Sequence, residues 1–231
     1  MKLIMAAFLM SFYTICHAQD LKTISPGYNI DGYILGLQDN SRIYLINGGL
    51  RKRIDSAVVK NNRFTMTGIL NEPAFMYLYL GKSNKLADIL LDNSHIEVMG
   101  NVPIYDSIKV KGSDIDRQWK EWYQNDQRIG YQKYRLDKLY ESLVEKKDSE
   151  NAIVVKKLSE ELMNDRINLL KGYVRRYNGS AVGAVLPTLC TIQTSLTKTD
   201  YLEMYNALTP GMRTTTLGKE ILNLADKSKL K

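Results

Sequence analysis

The residues that could do chemistry are few, and their spacing is poor for it. The 231-residue chain holds two histidines, His17 and His95, and two cysteines, Cys16 and Cys190. His95 follows Asn93-Ser94 at the start of an apolar-polar alternation, with no second histidine to share a metal, and reads as a surface or turn histidine. Cys190 follows Pro187-Thr188-Leu189 in an apolar stretch. No basic residue or histidine stands near enough in the chain to stabilise its thiolate, so it reads as a packed structural thiol. A Gly-x-Ser-x-Gly elbow, a phosphate loop and a His-Glu-x-x-His helix are all missing from the sequence. Enzyme is therefore the weaker reading. No residue is assigned to catalysis, to cofactor binding or to a metal, and no cofactor is expected.

The other His and Cys belong to a different pattern. Lys2 gives a positive start, Leu3 to Ile15 are mostly apolar, and Cys16-His17-Ala18 puts small residues at the −3 and −1 positions of a signal-peptidase site. Residues 1–18 are expected to be a cleaved secretory signal, with Gln19 the new N-terminus and the product exported to the periplasm or cell envelope. The run is shorter than the roughly 20 residues that span a bilayer. Ile15 before Cys16 argues against a lipid anchor there, since the residue preceding a lipidated cysteine is normally small. Cleavage would leave Cys190 alone, with neither an internal disulfide nor a Cys-x-x-Cys pair.

The formal charge of +7 falls by one with Lys2, and it is mixed in sign. Arg51-Lys52-Arg53 stands beside Asp55, and Lys156-Lys157 beside Glu160-Glu161. Such interspersion suits a solvated surface. No basic run is interleaved with stacking aromatics, so nucleic acid is not an expected partner.

The elements that must position any site fall into two halves. Between Tyr28 and Lys111, strands are expected at Tyr28 to Ile34, Arg42 to Ile46, Ile54 to Val59, Phe64 to Ile69, Phe75 to Leu80, Leu86 to Leu91, His95 to Val98 and Ser107 to Val110. Turn residues separate them, and Asn61-Asn62 suits a tight hairpin because Asn tolerates positive φ. The spacing predicts a mainly antiparallel β-sandwich or barrel.

At Ser113 the period changes. Ile115, Trp122, Ile129, Leu136 and Leu143 recur every seven residues, with Trp119, Leu139 and Tyr140 on the same face and Ser113-x-x-Asp116 as N-cap. After Lys146-Lys147-Asp148-Ser149, Val155, Leu158, Leu162, Leu169 and Tyr173 mark a second helix, which Asn178-Gly179 should end with a left-handed cap. The two form an antiparallel hairpin. Shorter helices are expected at Ala181 to Ile192, Asp200 to Ala207 and Thr215 to Ala225. The fold class is α+β: residues 1–18 signal, 19–112 sandwich-like domain, 113–231 helical domain. Tyr123, Tyr131 and Tyr134 fall on the outer side of the first long helix, where tyrosine serves either packing or a partner surface.

The order of short motifs carries a resemblance. Tyr28-x-Ile30-x-Gly32, Gly36-Leu37, Ile43-Tyr44-Leu45, Asp55-Ser56-Ala57-Val58-Val59, Asn62-Arg63-Phe64-x-Met66-x-Gly68, Glu72-Pro73 and Val110-Lys111-Gly112-Ser113 resemble the N-terminal domain of unknown function of exported thioredoxin-like proteins (TlpA or AhpC/TSA type) of Bacteroidetes. Asn178-Gly179-Ser180-Ala181-Val182-Gly183-Ala184, Leu208-Thr209-Pro210 and Leu217-Gly218-Lys219 are similar to the helical connector that precedes the redox domain there. The resemblance runs from residue 28 to about 225, and the chain stops at Lys231 where a Cys-x-x-Cys domain would begin, so no redox residue carries over. It implies an accessory module that binds a protein partner in the envelope or positions a redox protein. The alternatives are a split or truncated thiol-disulfide oxidoreductase with its redox domain on another chain, and a glycan- or lipid-binding envelope protein, which a concave aromatic pocket would support, although the sequence does not order Tyr33, Tyr44, Tyr77 and Tyr79 around one. Asp55-Ser56-Ala57 and Asp106-Ser107-Ile108 also resemble the short O-glycosylation pattern of that phylum, although ordinary strand or turn use is the preferred reading of both.

Overall fold

The computed structural model describes residues 27–228. The leader and processing expectations for residues 1–18, with Cys16, His17 and Gln19, lie outside the described residues.

Among the described residues eight strands come first: β1 (Tyr28–Leu35), β2 (Arg42–Asn47), β3 (Lys52–Val58), β4 (Arg63–Gly68), β5 (Ala74–Leu80), β6 (Asn84–Leu91), β7 (His95–Asn101) and β8 (Lys109–Lys111). They build two four-stranded sheets, ordered β4-β1-β7-β8 and β3-β2-β5-β6. The sandwich expectation holds, and two separate sheets replace the barrel alternative. Among the described residues the one parallel ladder joins β1 to β7, and the other pairings are antiparallel.

Alternation explains the sheets. Ile30 and Ile34 of β1, Ile43 and Leu45 of β2, Met76 and Leu78 of β5, and Ile96 and Val98 of β7 all bury into one shared core. Gly32 leaves room for the Phe64 ring, which would stand 2.0 Å from an added Cβ. The Asn61-Asn62 turn forms with φ of 53° and 62°, and Lys60 and Arg63 bridge across it. Beyond that bridge the chain does not pair back as expected. β4 joins β1 in the other sheet, so the turn carries the chain between layers.

β6 departs from alternation, and for a reason. Ile89, Leu90 and Leu91 are all buried in succession. Ile89 and Leu91 face the sandwich core, whereas Leu90, paired in register with Phe75 of β5, belongs to a second core made with the helices. The β3-β2-β5-β6 sheet is thus covered on both faces at this end.

The helices are α1 (Asp114–Glu145), α2 (Ser149–Arg176), α3 (Ala181–Leu189), α4 (Lys198–Ala207), α5 (Pro210–Thr214) and α6 (Thr216–Lys227). Ser113 caps α1 by accepting from the Asp116 amide at 3.2 Å, as its sequence suggests. Two details differ from expectation. α2 ends at Tyr177 with φ −112°, and Gly179 is not left-handed; Thr209 reaches in to donate to the Asn178 carbonyl instead. α3 stops at Leu189, three residues early, because Cys190 turns extended three residues after Pro187 and its amide closes the helix on Leu186. α5 is a single short turn led by Pro210.

Candidate functional site

The junction between sheet and helices is built first by Gly112, whose φ of +109° places it 1.9 Å, for an added Cβ, from the His95 carbonyl. That turn aims α1 across the sheet. Asp116, buried in the first turn, accepts from the Leu90 amide at 2.9 Å and from Lys120 Nζ at 2.6 Å. Burial pushes the Asp116 carboxyl above its ordinary range against the pull of Lys120. One turn on, the Trp119 ring lies 5.4 Å from Phe75 and 5.5 Å from Tyr123. Trp122 is buried in the helical core with Leu170, Tyr173 and Val174. So one indole sits on the sandwich and the other within the helices. Among the described residues neither indole N–H has an acceptor.

An open groove of about 510 Å³ runs beside this junction, bordered by Val110, Lys111, Ser113, Asp116 and Lys120. Its Asp116 and Lys120 are spent on each other.

Further along, the hairpin seam carries charge that the heptad reading passed over. Arg166 of α2 makes a two-pronged pair with Asp126 of α1, at 2.8 and 2.6 Å, and also donates to Thr191 Oγ1 at 2.8 Å. Both residues of the pair are buried, so removing either would strand the other at a cost of about 3–5 kcal/mol. Eleven residues on, Asp137 accepts from Lys133 at 2.7 Å and from Ser159. Burial raises its carboxyl, but these donors outweigh that and hold it below its ordinary range. The signal was present: Asp126, Lys133, Ser159 and Arg166 occupy one heptad position where Trp119, Tyr140, Ala152 and Tyr173 occupy the others.

The residues singled out from sequence are placed apart. His95 opens β7, half exposed, 3.1 Å from Asn29 and 3.8 Å from Asp31. Cys190 is buried, its Sγ donating to the Pro187 carbonyl at 3.4 Å, and burial pushes its thiol up to about 12. Among the described residues no group of three or more His, Cys, Asp and Glu is arranged to hold a metal ion. Tyr44, Tyr77 and Tyr79 share the outer face of one sheet, where Tyr44 pairs across from Tyr79, and Tyr33 lies in the other sheet, so the four do not converge on a pocket. Ser107 Oγ is engaged with the Ile104 carbonyl at 2.6 Å and the Asn101 amide at 2.9 Å in a tight turn, and Ser56 lies in β3.

What stands out is surface. Tyr131 and Tyr134 are 65% and 56% exposed, and with Tyr123 they follow one side of α1. No residue of α1 beyond Asp126 is buried. The far part of the hairpin therefore covers only itself. Among the described residues no helix is long and apolar enough to cross a membrane.

These features define a β-sandwich followed by a helical hairpin and short helices, with an exposed tyrosine side on the hairpin. Residues 28–119 match the model of a domain of unknown function, DUF4369. That span takes in all eight strands and ends at Trp119, so most of the helical part lies beyond it. No curated protein matches the chain.

Proposed function

We propose that this chain is an exported, non-catalytic module of the cell envelope that holds a protein partner on its helical hairpin, and that the partner it positions is a redox protein. The observation that carries this is the tyrosine side of α1. Tyr123, Tyr131 and Tyr134 offer large apolar rings with polar tips on an element that little else covers, the composition of a protein-binding surface. Export is supported by Lys2, the apolar run to Ile15 and Ala18. The class of partner comes from the resemblance to exported thioredoxin-like proteins. Cys16 and Cys190 of these 231 residues form no Cys-x-x-Cys pair, and this reading assigns the redox chemistry to the partner.

Replacing Tyr131 or Tyr134 by a photo-cross-linking residue in the exported chain tests this. Irradiation should yield an adduct with an envelope protein of thioredoxin fold, and the same residue placed at Lys109 in β8 should not. No adduct from either tyrosine position overturns the reading, as does insulin reduction by the purified chain above a Cys190→Ala control.

A further inference from the structure

The tyrosines occupy one flank of the hairpin. The opposite flank carries a different pattern, and it matches itself. Antiparallel helices bring corresponding flanks to the same side. The level of each residue is set by the seam, where Asp126 meets Arg166 and Asp137 meets Ser159. On this ladder α1 presents Leu139 beside Leu136 and Leu143, and α2 presents Val154 and Leu158 beside Leu162. Leu139, Val154 and Leu158 are 47%, 55% and 44% exposed, although Leu139 and Leu158 were expected from sequence to close the hairpin.

The charges bordering this strip are largely separated by helix, Lys157 of α2 being the exception. Arg128 and Arg135 edge it along α1, and Glu161 and Asp165 edge it along α2. Several other cations of the hairpin find carboxylates within the chain: Lys120 with Asp116, Lys133 with Asp137, Lys138 with Glu141, Lys156 with Glu160 and Arg166 with Asp126, whereas Lys157 finds none among the described residues. Arg135, Glu161 and Asp165 make no ion pair or hydrogen bond among the described residues, and Arg128 reaches only Asn125, at 3.4 Å.

We propose that this flank binds a second copy of the chain, two hairpins closing into an antiparallel four-helix bundle. A two-fold axis parallel to the hairpin keeps every residue at its own level and lays α1 over α2 of the other copy, running opposite ways. Arg135 then stands level with Glu161 of the second copy, and Arg128 with Asp165, while Leu139 meets Val154 and Leu158. Rotation about an axis across the hairpin would instead set the basic edge on the basic edge. The strip itself runs about 23 Å from Arg128 to Leu143, and the whole flank, two helices wide and about 40 Å long, covers roughly 800 Å², the amount each partner contributes to a standard stable interface. The sandwich packs against the other flank through Trp119, so it leaves this one open. This inference is independent of the partner assigned to the tyrosine side.

Analytical ultracentrifugation of the full chain without its leader tests it. Wild type should sediment as a dimer at micromolar concentration. Leu139→Glu with Leu158→Glu should be monomeric with unchanged helical circular dichroism. Arg135→Glu and Glu161→Arg should each weaken dimerisation about tenfold or more, because like charges then face each other, and the double variant should restore it. A wild-type monomer at every concentration overturns the proposal. So does a dimer indifferent to these changes, or a double swap no better than the singles. The tyrosine cross-linking result is independent of all of these outcomes.

Discussion

Cys190 shows what burial does to a single group. Its thiol is pushed from 9.0 to about 12 first by loss of water, and the nearby Tyr201 phenol rises from 10.0 to about 12 for the same reason. Both groups are neutral when protonated, and the folded state holds those protons more tightly than the unfolded chain does. The stability they contribute is therefore complete below pH 9.0 and lost as pH rises towards 12. The urea midpoint should fall across that range, and Cys190→Ala should fall less steeply than wild type. Parallel curves for the two proteins would contradict this account. That the thiol is packed was legible in its apolar neighbours. That Asp126 and Arg166 lie close enough to influence it was not, since they are far from it in sequence.

At the scale of elements, α1 does two jobs with two rings in its first turns. Trp119 lies on Phe75 of the sheet, and Trp122 fills the helical core, fully buried. Truncating a buried ring of this size leaves a cavity and costs about 3–5 kcal/mol. Trp119→Ala and Trp122→Ala should each lose that much in denaturant unfolding. A variant within about 0.5 kcal/mol of wild type would mean its ring is exposed and the docking of α1 is wrong. The seven-residue repeat predicted the helix, Ser113-x-x-Asp116 its cap, and the apolar positions from Val155 to Tyr173 its hairpin partner. It overstated the closure, because Leu139 and Leu158 fall outside a seam that polar pairs partly occupy. A periodicity fixes which side of a helix is apolar, but how much of that side a single partner can cover depends on where the partner lies.

Over the whole molecule, three contacts tie the halves together. Leu90 and Phe75 join the helical core, Asp116 accepts from the Leu90 amide, and Glu72 caps the start of α6 by accepting from Thr216 N at 3.0 Å and from its hydroxyl at 2.6 Å. With a shared core the halves should unfold together. Urea transitions followed by the fluorescence of Trp119 and Trp122, both in α1, should coincide with loss of hydrogen-exchange protection in β1 and β7. Two separate midpoints would show that the halves are independent.

By itself the sequence determined the order and type of the elements: alternation for the strands, the heptad for the hairpin, Ser113 for the start of α1, and Asn61-Asn62 for a turn with two positive φ angles. These are local properties, written within a few residues. Only the tertiary structure decided that β4 crosses to the other sheet, that β1 and β7 run parallel, and that Leu90 faces helices while its neighbours face the sandwich. It alone decided which apolar residues remain uncovered. Those outcomes depend on which surfaces meet across tens of residues. Strand alternation names two faces and a heptad names one, and neither says what will lie against them.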